Sequence, residues 1–416
     1  MEEGKSSSLD EILLDAFCKN AAIIGIAESN LQLFVNAITE GGGRSISING
    51  SKCGVHLSDE AVGQLVLCIQ QSNLPIESLS LTYHNLSDDI IEYIRDSLLI
   101  SGVNPVTLEH LNLEGNELTA KGLKYLQLNS SELCPLLSLN LSSNPLNEHG
   151  GLAISEALVS NVSLCSLKLN NCGFSLSAIV GLAAGLSGGR RQIQELELNR
   201  PILPKYIPGE ESSDHFSRVL GGAKSLQALS LKYHNIGDAG ARLIAYNLSK
   251  AINLISLNLD CNKIGIAGAE ALASFLIIQS REKDKALKAS QAIGGSQIMA
   301  NQPQLSVGLQ HLKLSYNSIN DQGAIALAEA INVNTSLKSL TLKNCNIGDK
   351  GLMAIGKSLS VNNTLQFLSI FGNEFQNNET GSCYHELIEN RLPYIGLTLD
   401  IKTYVVDGVY MIAEQS

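Results

Sequence analysis

The sequence predicts an α/β solenoid in the form of a horseshoe, with a parallel sheet on its concave face and helices on its convex face. A phrase of regularly spaced apolar residues returns along the chain, as at residues 108–118, 254–264 and 309–319. Most copies begin 28 residues after the previous one, as Leu337 does after Leu309. A unit of that length is too short to bury its own apolar face, so its copies have to stack.

Within each copy, the apolar residues fall at offsets three, five and ten from the first one. Alternation at offsets three and five predicts a short strand with one buried face, and stacked copies then predict a parallel sheet. A worn copy comes first, at residues 45–48. The ten copies that keep the spacing begin at Ile76, Leu108, Leu136, Leu164, Ile193, Leu226, Leu254, Leu309, Leu337 and Leu365.

Offset eight, where the chain turns away from the strand, is usually Asn. Its side-chain amide can satisfy backbone groups of its own copy and of the next one, which predicts a ladder of hydrogen bonds. His84, His234, Cys172 and Cys345 stand at the same offset, so we expect them to be structural rather than catalytic. In six copies a Gly at offset fourteen opens an Ala- and Leu-rich helical stretch, at Gly122, Gly150, Gly240, Gly268, Gly323 and Gly351.

This phrase resembles the leucine-rich repeat superfamily in its ribonuclease-inhibitor-like class, whose repeats of about this length each carry a full helix. The resemblance covers residues 45–390 and predicts three parts of the chain. Residues 1–44 would form an N-terminal helical cap, opened by a capping box at residues 8–11. Residues 391–416 would form a C-terminal cap with a hairpin, because Asp407-Gly408 between β-forming residues suits a type I′ turn.

Two irregularities interrupt the repeats. Leu254 and Leu309 are 55 residues apart, so residues 280–306 are an insertion, which we expect to be a surface loop. It is either a neutral insertion or a loop that docks a partner. Residues 199–208 form a Pro-rich break, with Pro201 at the ladder position, and they are either a worn repeat or a partner contact.

Three segments suggest a narrower resemblance, namely residues 199–203, 371–375 and 404–414. They are similar to the family of leucine-rich repeat-containing protein thirty-four, although the tail is shorter here. That resemblance implies a non-enzymatic protein of the cytoplasm and nucleolus, tied to stem-cell or germ-cell differentiation. Related proteins also occur in cilia and sperm.

Composition excludes several functional classes. A net charge of −11 argues against direct binding to nucleic acid or to anionic membranes. The first residues are polar, which predicts no signal peptide, and no apolar run is long enough to cross a bilayer. Nine Cys without metal-ligand spacing suggest free thiols in a reducing compartment, so we expect cytoplasm and nucleus, or alternatively a ciliary axoneme. No catalytic motif occurs, so we expect no enzyme activity, cofactor, metal or small-molecule substrate.

The predicted functional surface is the concave face, made by offsets one, two, four, six and seven. Its early copies are acidic and its later copies basic, which suits a protein partner of opposed polarity. The alternative is a solvated sheet that merely needs polar residues. The predicted site residues are Glu109, Glu114, Glu195, Glu197, Lys232, Tyr233, Asp260, Lys313, Tyr316, Lys338 and Lys343.

These features predict a non-enzymatic scaffold that binds a protein partner on the concave face. One alternative is a structural subunit of a large assembly, such as a ciliary or sperm axoneme. A further alternative is a regulator of a small GTPase, as some members of this repeat class are. The long acidic tail of those regulators is absent from this sequence.

Overall fold

The computed structural model describes residues 9–99, 108–126, 136–188, 193–203, 214–217, 219–220, 225–292, 308–390 and 396–415. Two compact units divide the chain, at Met1–Ile202 and Leu203–Ser416. Both are built from the repeating strand and helix that the sequence predicts.

The first unit begins with two helices and continues as alternating strands and helices. In its described part, strands β1 to β6 pair in chain order and are all parallel. A π-helical turn at Arg95–Leu99 follows α5. The elements are α1 Leu9–Ile24, α2 Glu28–Glu40, β1 Ser45–Asn49, α3 Gly50–Cys53, α4 Asp59–Gln71, β2 Ser78–Thr82, α5 Asp89–Ile94, β3 His110–Asn112, α6 Ala120–Leu126, β4 Ser138–Asn140, α7 Asn147–Ser160, β5 Ser166–Lys168, α8 Leu176–Gly188 and β6 Glu195–Glu197.

The second unit repeats the same alternation and ends in a hairpin. Strands β7 to β12 pair in chain order and in parallel, and β13 pairs with β14 in antiparallel fashion. The elements are β7 Ala228–Ser230, α9 Asp238–Leu248, β8 Ser256–Asn258, α10 Ile266–Ala292, β9 His311–Lys313, α11 Asn320–Val333, β10 Ser339–Thr341, α12 Asp349–Leu359, β11 Phe367–Ser369, α13 Asn378–Asn390, β12 Thr398–Leu399, β13 Ile401–Val406 and β14 Val409–Glu414.

The core is aliphatic and follows the predicted offsets. Leu111, Leu139 and Leu167, all at offset three, are in register on neighbouring strands and are almost fully buried. Ala178 of α8 is also fully buried, and α7 and α8 pack against each other. Because side chains alternate along a strand, the other face of each sheet is left for polar residues. The predicted α/β solenoid is confirmed.

The predicted ladder at offset eight is present, but its side chains bond to their own copy and to the preceding one rather than to the next, and Asn144 shows this most fully. Its Nδ2 donates to the carbonyl oxygens of Leu113 and Leu141, each at 2.9 Å, and its Oδ1 accepts from the amide nitrogen of Leu118 at 3.0 Å. One buried side chain thus satisfies backbone groups in two neighbouring repeats. Equivalent bonds are made by Asn116, Asn262, Asn317 and Asn373.

Cysteine and histidine replace Asn in the ladder as the sequence predicts. The thiol of Cys172 donates to the carbonyl of Leu141 at 3.3 Å, so Cys in place of Asn keeps one of the ladder bonds. In His84, Nδ1 accepts from the amide nitrogen of Leu57 at 3.1 Å, and Nε2 lies 3.2 Å from the carbonyl of Ile48. These partners require a neutral ring with its proton on Nε2.

A second ladder, of acidic residues at offset twelve, escaped the sequence analysis. Oδ1 of Asp321, in the first turn of α11, accepts from the amide nitrogens of Gly348 and Gly351 at 2.8 and 2.9 Å. A carboxylate therefore caps the start of the next helix, where backbone amides lack intrahelical partners. A Cβ at Gly351 would lie 2.6 Å from the side chain of Ile347, 2.8 Å from that of Ala324 and 2.9 Å from this carboxylate oxygen, so Gly is needed there mainly for helix packing. Oδ1 of Asp238 likewise accepts from the amide nitrogens of Gly265 and Gly268.

Both ends of the repeat array differ slightly from the predicted boundaries. The worn copy at residues 45–48 forms β1, a full strand paired with β2. The predicted hairpin is confirmed, since Asp407 and Gly408 have φ of 50° and 77° between β13 and β14. The repeat sheet, however, continues through β12 into the region that the sequence assigns to the cap. Ser8 of the predicted capping box lies outside the described residues.

The prediction of a loop at residues 280–306 is wrong for its first half. Helix α10 continues unbroken from Ile266 to Ala292. The segment is polar, but its Glu, Lys and Ala residues favour a helix, and Lys285 pairs with Glu282 one turn earlier at 2.8 Å. Lys283 also donates to the carbonyl of Thr335 at 3.0 Å, which anchors the extension to the next repeat. Residues 293–307 lie outside the described part of the chain.

The predicted Pro-rich break is described only as far as Leu203. The backbone nitrogen of Ile202 donates to the carbonyl oxygen of Phe174 at 2.8 Å, while the Ile202 side chain is 65% exposed. The choice between a worn repeat and a partner contact therefore stays open.

We expect Asn144→Ala to lower the free energy of unfolding by about 1–3 kcal/mol for each buried backbone group that it leaves unsatisfied. Urea unfolding followed by circular dichroism measures the change. Asn332→Ala is the matched control, because Asn332 is exposed on α11, and it should alter the free energy by less than about 0.5 kcal/mol. Equal effects of the two substitutions would contradict a stabilising role for the ladder amide.

The pH dependence of stability should change in His84→Asn. Burial lowers the pKa of His84 below its usual 6.5, the bond to Ile48 opposes this, and nearby His56 lowers the pKa further. The unfolded chain therefore takes up this proton more readily, so the contribution of the neutral ring is lost as the pH falls through about 6.5. Wild type should lose more stability than the variant between about pH 7.5 and pH 5.5. Parallel curves in thermal unfolding would refute this.

Candidate functional site

The open face of each sheet is formed by strand offsets two and four and by offset six just beyond the strand. Offsets three and five enter the core, so their neighbours point to the opposite side. Strand register aligns the same offset in neighbouring repeats, as for Ser166 with Glu195 and Lys168 with Glu197. Of the predicted site residues, Glu109 and Lys338 stand at offset one, one residue before β3 and β10 begin.

Glu114 is held in place on the open face of the first unit. Its Oε1 accepts from the hydroxyl of Tyr83 at 2.9 Å, and its Oε2 accepts from Nδ2 of Asn140 at 3.1 Å. The carboxylate thus joins three successive repeats. The hydrogen bond to Glu114 raises the pKa of Tyr83, and burial adds a smaller rise.

Glu195 and Glu197 also lie on this face, beside a lysine that the sequence analysis missed. Lys168 Nζ is 2.9 Å from Glu197, and Nδ2 of Asn170 donates to the same carboxylate at 2.8 Å. Glu195 accepts from the hydroxyl of Ser166 at 3.2 Å. The hydrogen bond with Glu197 raises the pKa of Lys168, burial opposes it, and Glu195 and Glu114 add to the rise. Lys168 could have been found from its offset four.

Offset seven always has a left-handed backbone where the structure describes it. The φ angles of Tyr83, Tyr233 and Tyr316 are 60°, 62° and 60°. Such conformations cost free energy in residues with a Cβ, and their recurrence shows that the ladder turn imposes them. Tyr83 lies over Gly115, whose added Cβ would be 2.3 Å from the ring. The predicted Tyr233 and Tyr316 are 41% and 54% exposed, so their rings are available to a partner.

On the second unit, Lys232 and Asp260 form a pair at 3.7 Å. Asp260 Oδ1 also accepts from the amide nitrogen of Ser315 at 2.8 Å. Burial raises the pKa of Asp260, while the Ser315 amide, Lys232 and Lys313 oppose the rise. The three opposing contacts all favour the ionised carboxylate.

Lys343 does not present a free charge. Its Nζ contacts Glu414 of β14 and lies 4.0 Å from Asp400, next to β12. The bond with Glu414 raises the pKa of Lys343. The sequence alone suggests a basic end, but the C-terminal segments supply two carboxylates there. Lys313 remains exposed on β9.

Two grooves lie on the open faces. One, of about 540 Å³, lies at the start of the first unit, between α2 and strands β1 to β3. The other, of about 550 Å³, crosses β8 to β11 of the second unit. Of the predicted residues it contains Asp260, Lys313, Tyr316 and Lys343. His311 and Phe367, which sequence reasoning missed, also line it.

No cluster of His, Cys, Asp or Glu in the described part of the chain could hold a metal ion. The described cysteines are free thiols, and burial raises the pKa of Cys172 and Cys345 to about 12. None of the described helices is long and apolar enough to cross a membrane.

Comparison with known proteins finds matches to a repeat family in five stretches of the chain. A model of the Leucine Rich repeat family matches residues 104–126, 222–245, 250–273, 309–328 and 333–356. The chain is 26% identical to the ribonuclease inhibitor of Mus musculus over 318 residues, 67% of this chain and 67% of that protein. For the ribonuclease inhibitor of Sus scrofa, the identity is 26% over 244 residues, 56% of this chain and 51% of that protein.

A solved structure of the Rad7 and Elc1 complex in yeast is also similar. It covers 94% of this chain and 92% of the matched chain, with a TM-score of 0.42 and 16% identity. By sequence, the chain spans from half to two thirds of the length of the two ribonuclease inhibitors.

Thiol labelling should separate ladder cysteines from exposed ones. In the native protein we expect Cys53, which is exposed, to react quickly with iodoacetamide. Cys172 and Cys345 should react only on unfolding, because they are buried and remain protonated. Mass spectrometry of labelled peptides gives the rates. Rapid native labelling of Cys172 would show that its ladder bond is not formed.

Proposed function

The chain is a leucine-rich-repeat protein of the ribonuclease-inhibitor-like class, and from this premise we propose that it is a non-enzymatic scaffold that binds a protein partner. The open face of the sheet is the proposed binding surface. Repeat solenoids present such extended faces to their partners. No nucleic acid, membrane or small-molecule substrate is part of this proposal.

The main support for the proposal is that polar side chains on this face are held in fixed positions by hydrogen bonds. Glu114, Glu197 and Asp260 are each held by hydrogen bonds to neighbouring repeats. Side chains that are already ordered lose little conformational entropy when a partner binds. A sheet that only needed solvation would not require carboxylates joined across repeats.

Exposed aromatic rings add contact area beside these charges. Tyr233 directly follows Lys232 in the chain, and Tyr316 lines the same groove as Lys313. Tyrosine is common in protein interfaces because it buries a large area and keeps a polar tip. Charge then adds specificity and faster association.

Finer roles are supported only by resemblances. The three segments noted above suggest the roles in differentiation and in cilia or sperm, and the repeat class suggests the GTPase regulator. A function in stem-cell or germ-cell differentiation, an axonemal subunit and a GTPase regulator remain predictions. We also propose a reducing compartment such as the cytoplasm or nucleus, supported by free thiols at the described cysteines.

Photo-crosslinking tests the proposed surface. A benzophenone side chain is placed at His110 or Phe367, both on the open face, and at Ile325 or Glu329, both exposed on α11. We expect the two open-face positions to crosslink one dominant protein from native tissue, identified by mass spectrometry. The α11 positions should not crosslink it.

Charge reversal supplies the control for the same experiment. Glu195 and Lys313 are exposed, whereas Lys343 is already paired, so Glu195→Lys with Lys313→Glu should release the partner. Glu329→Lys with Lys350→Glu makes the same exchange on the helices and should leave crosslinking unchanged. Crosslinking of the same protein from α11, or its retention by the open-face variant, would exclude the proposed surface.

A further inference from the structure

The C-terminal hairpin of β13 and β14 presents an apolar sheet face to solvent. Strand register pairs Tyr404 with Met411 and Val406 with Val409, so these four side chains lie on the same side of the hairpin, which we call its outer face. Each of them is between 42% and 49% exposed. Single exposed apolar residues are ordinary, but four adjacent ones on a small sheet are typical of an interaction surface.

The opposite side of the hairpin is fixed to α13. Nδ1 of His385 lies 2.9 Å from the hydroxyl oxygen of Thr403, and the His385 ring lies 5.1 Å from that of Tyr410. Oδ1 of Asn378 accepts from the backbone nitrogen of Tyr410 at 2.8 Å. A two-stranded hairpin is marginally stable alone, so these contacts hold it in place. The outer face is therefore turned away from α13 and has a fixed geometry.

Charges of opposite sign stand at the two ends of the outer face. Lys402 lies two residues before Tyr404 and on the same side of β13, whereas Asp407 lies in the turn at the tip. Both residues are exposed. Among the residues that the structure describes, neither takes part in an ion pair. The outer face is thus apolar along its length, positive at one end and negative at the other.

This arrangement is complementary to itself. A twofold axis that crosses the strands at Tyr404 and Met411 would lay the outer face on that of a second copy and reverse the strand direction. Lys402 of each copy would then lie beside Asp407 of the other. A parallel arrangement would instead place Lys402 against Lys402. Charge therefore favours the antiparallel packing of two like faces.

We propose that the outer face is a self-association surface, on which the hairpin of a second copy of this chain packs with its strands antiparallel and about 10 Å away. A strand of another protein, added at the edge of β13 or β14, would leave the four apolar side chains exposed and so explains them less well. The inference does not rest on the proposed scaffold function. It would bring two open faces into one assembly.

The size of the outer face sets the strength of this dimer. Each strand of the hairpin has six residues, so the face is about 20 Å long and two strands wide. A stable interface buries about 800 Å² on each partner, which is more than this face offers. We therefore expect a weak dimer that is half dissociated near about 0.1 mM.

Sedimentation velocity of the full chain over a range of concentrations tests the proposal. We expect monomer near about 1 μM and mainly dimer near about 300 μM. Val406→Thr with Val409→Thr keeps the branched shape and the strand preference but removes apolar surface, so it should weaken the dimer at least about tenfold. Val333→Thr with Val361→Thr makes the same exchange at positions that are 49% and 61% exposed, outside the hairpin, and should leave the dimer unchanged.

Charge variants test the antiparallel arrangement. Lys402→Glu places two carboxylates together at each end of the interface and should weaken the dimer about three- to tenfold. Addition of Asp407→Asn removes this repulsion and suits the left-handed turn, so it should recover about two- to threefold of the loss. A purely structural role of Lys402 predicts no recovery.

Disulfide trapping locates the twofold axis. Met411→Cys places a thiol next to its symmetry mate, so mild oxidation should produce a covalent dimer. Lys402→Cys lies at the end of the face, and neither this variant nor wild type, which has only the native thiols, should be trapped. Equal thermal midpoints of wild type and the variants show that each variant is folded.

Several outcomes would overturn the proposal. These are a monomer at every concentration, equal effects of the two pairs of Val→Thr exchanges, or trapping of Lys402→Cys as readily as of Met411→Cys. A benzophenone side chain at Tyr404 provides the last check. If it crosslinks a different protein while the chain stays monomeric, the outer face belongs to that partner and self-association is wrong.

Discussion

A buried side chain at offset eight is the interaction on which the rest of the structure depends. At this point each strand ends and its backbone turns, so carbonyl and amide groups would be buried without partners. Asn144 satisfies them in two repeats at once, through bonds of 2.9 and 3.0 Å. Its replacements, Cys172 and His84, keep at least one of these bonds.

The carboxylates at offset twelve likewise accept hydrogen bonds from backbone amides at the starts of the helices. Asp321 and Asp238 each cap the helix of the following repeat, and the capped residues Gly351 and Gly268 also lie too close to Ile347 and Ile264 for a Cβ. Each repeat is thus joined to the next at its turn and at its helix start. Because both bonds are between neighbours, stability in such an array is close to a sum of repeat and interface contributions.

These constraints also shape the candidate binding surface. The ladder turn forces offset seven into a left-handed backbone and so displays Tyr233 and Tyr316 beside the charged rows. Carboxylates on the face are tied to neighbouring repeats, and the C-terminal segments add Asp400 and Glu414 to the second unit. The surface is therefore not a simple gradient from acid to base. In the second unit, the groove across β8 to β11 is lined by Asp260 together with Lys313 and Lys343.

The sequence by itself determined the repeat, its strand offsets, the ladder positions and the Asp407-Gly408 hairpin. Each of these depends on residues that are near one another in the chain, so spacing and residue type are sufficient to predict them. It also named most residues of the open face, because offset predicts the side of a strand. Lys168 was within reach of the same reasoning and was overlooked.

Only the tertiary structure decided which charges are paired. Glu414 is 71 residues from Lys343, and no periodic pattern connects a terminal hairpin with an earlier strand. The helix through residues 280–292 was misjudged because polarity suggested a loop, while helix propensity and the bond from Lys283 to the next repeat decided the outcome. Ion pairing and burial are properties of proximity in space, which the order of residues does not contain.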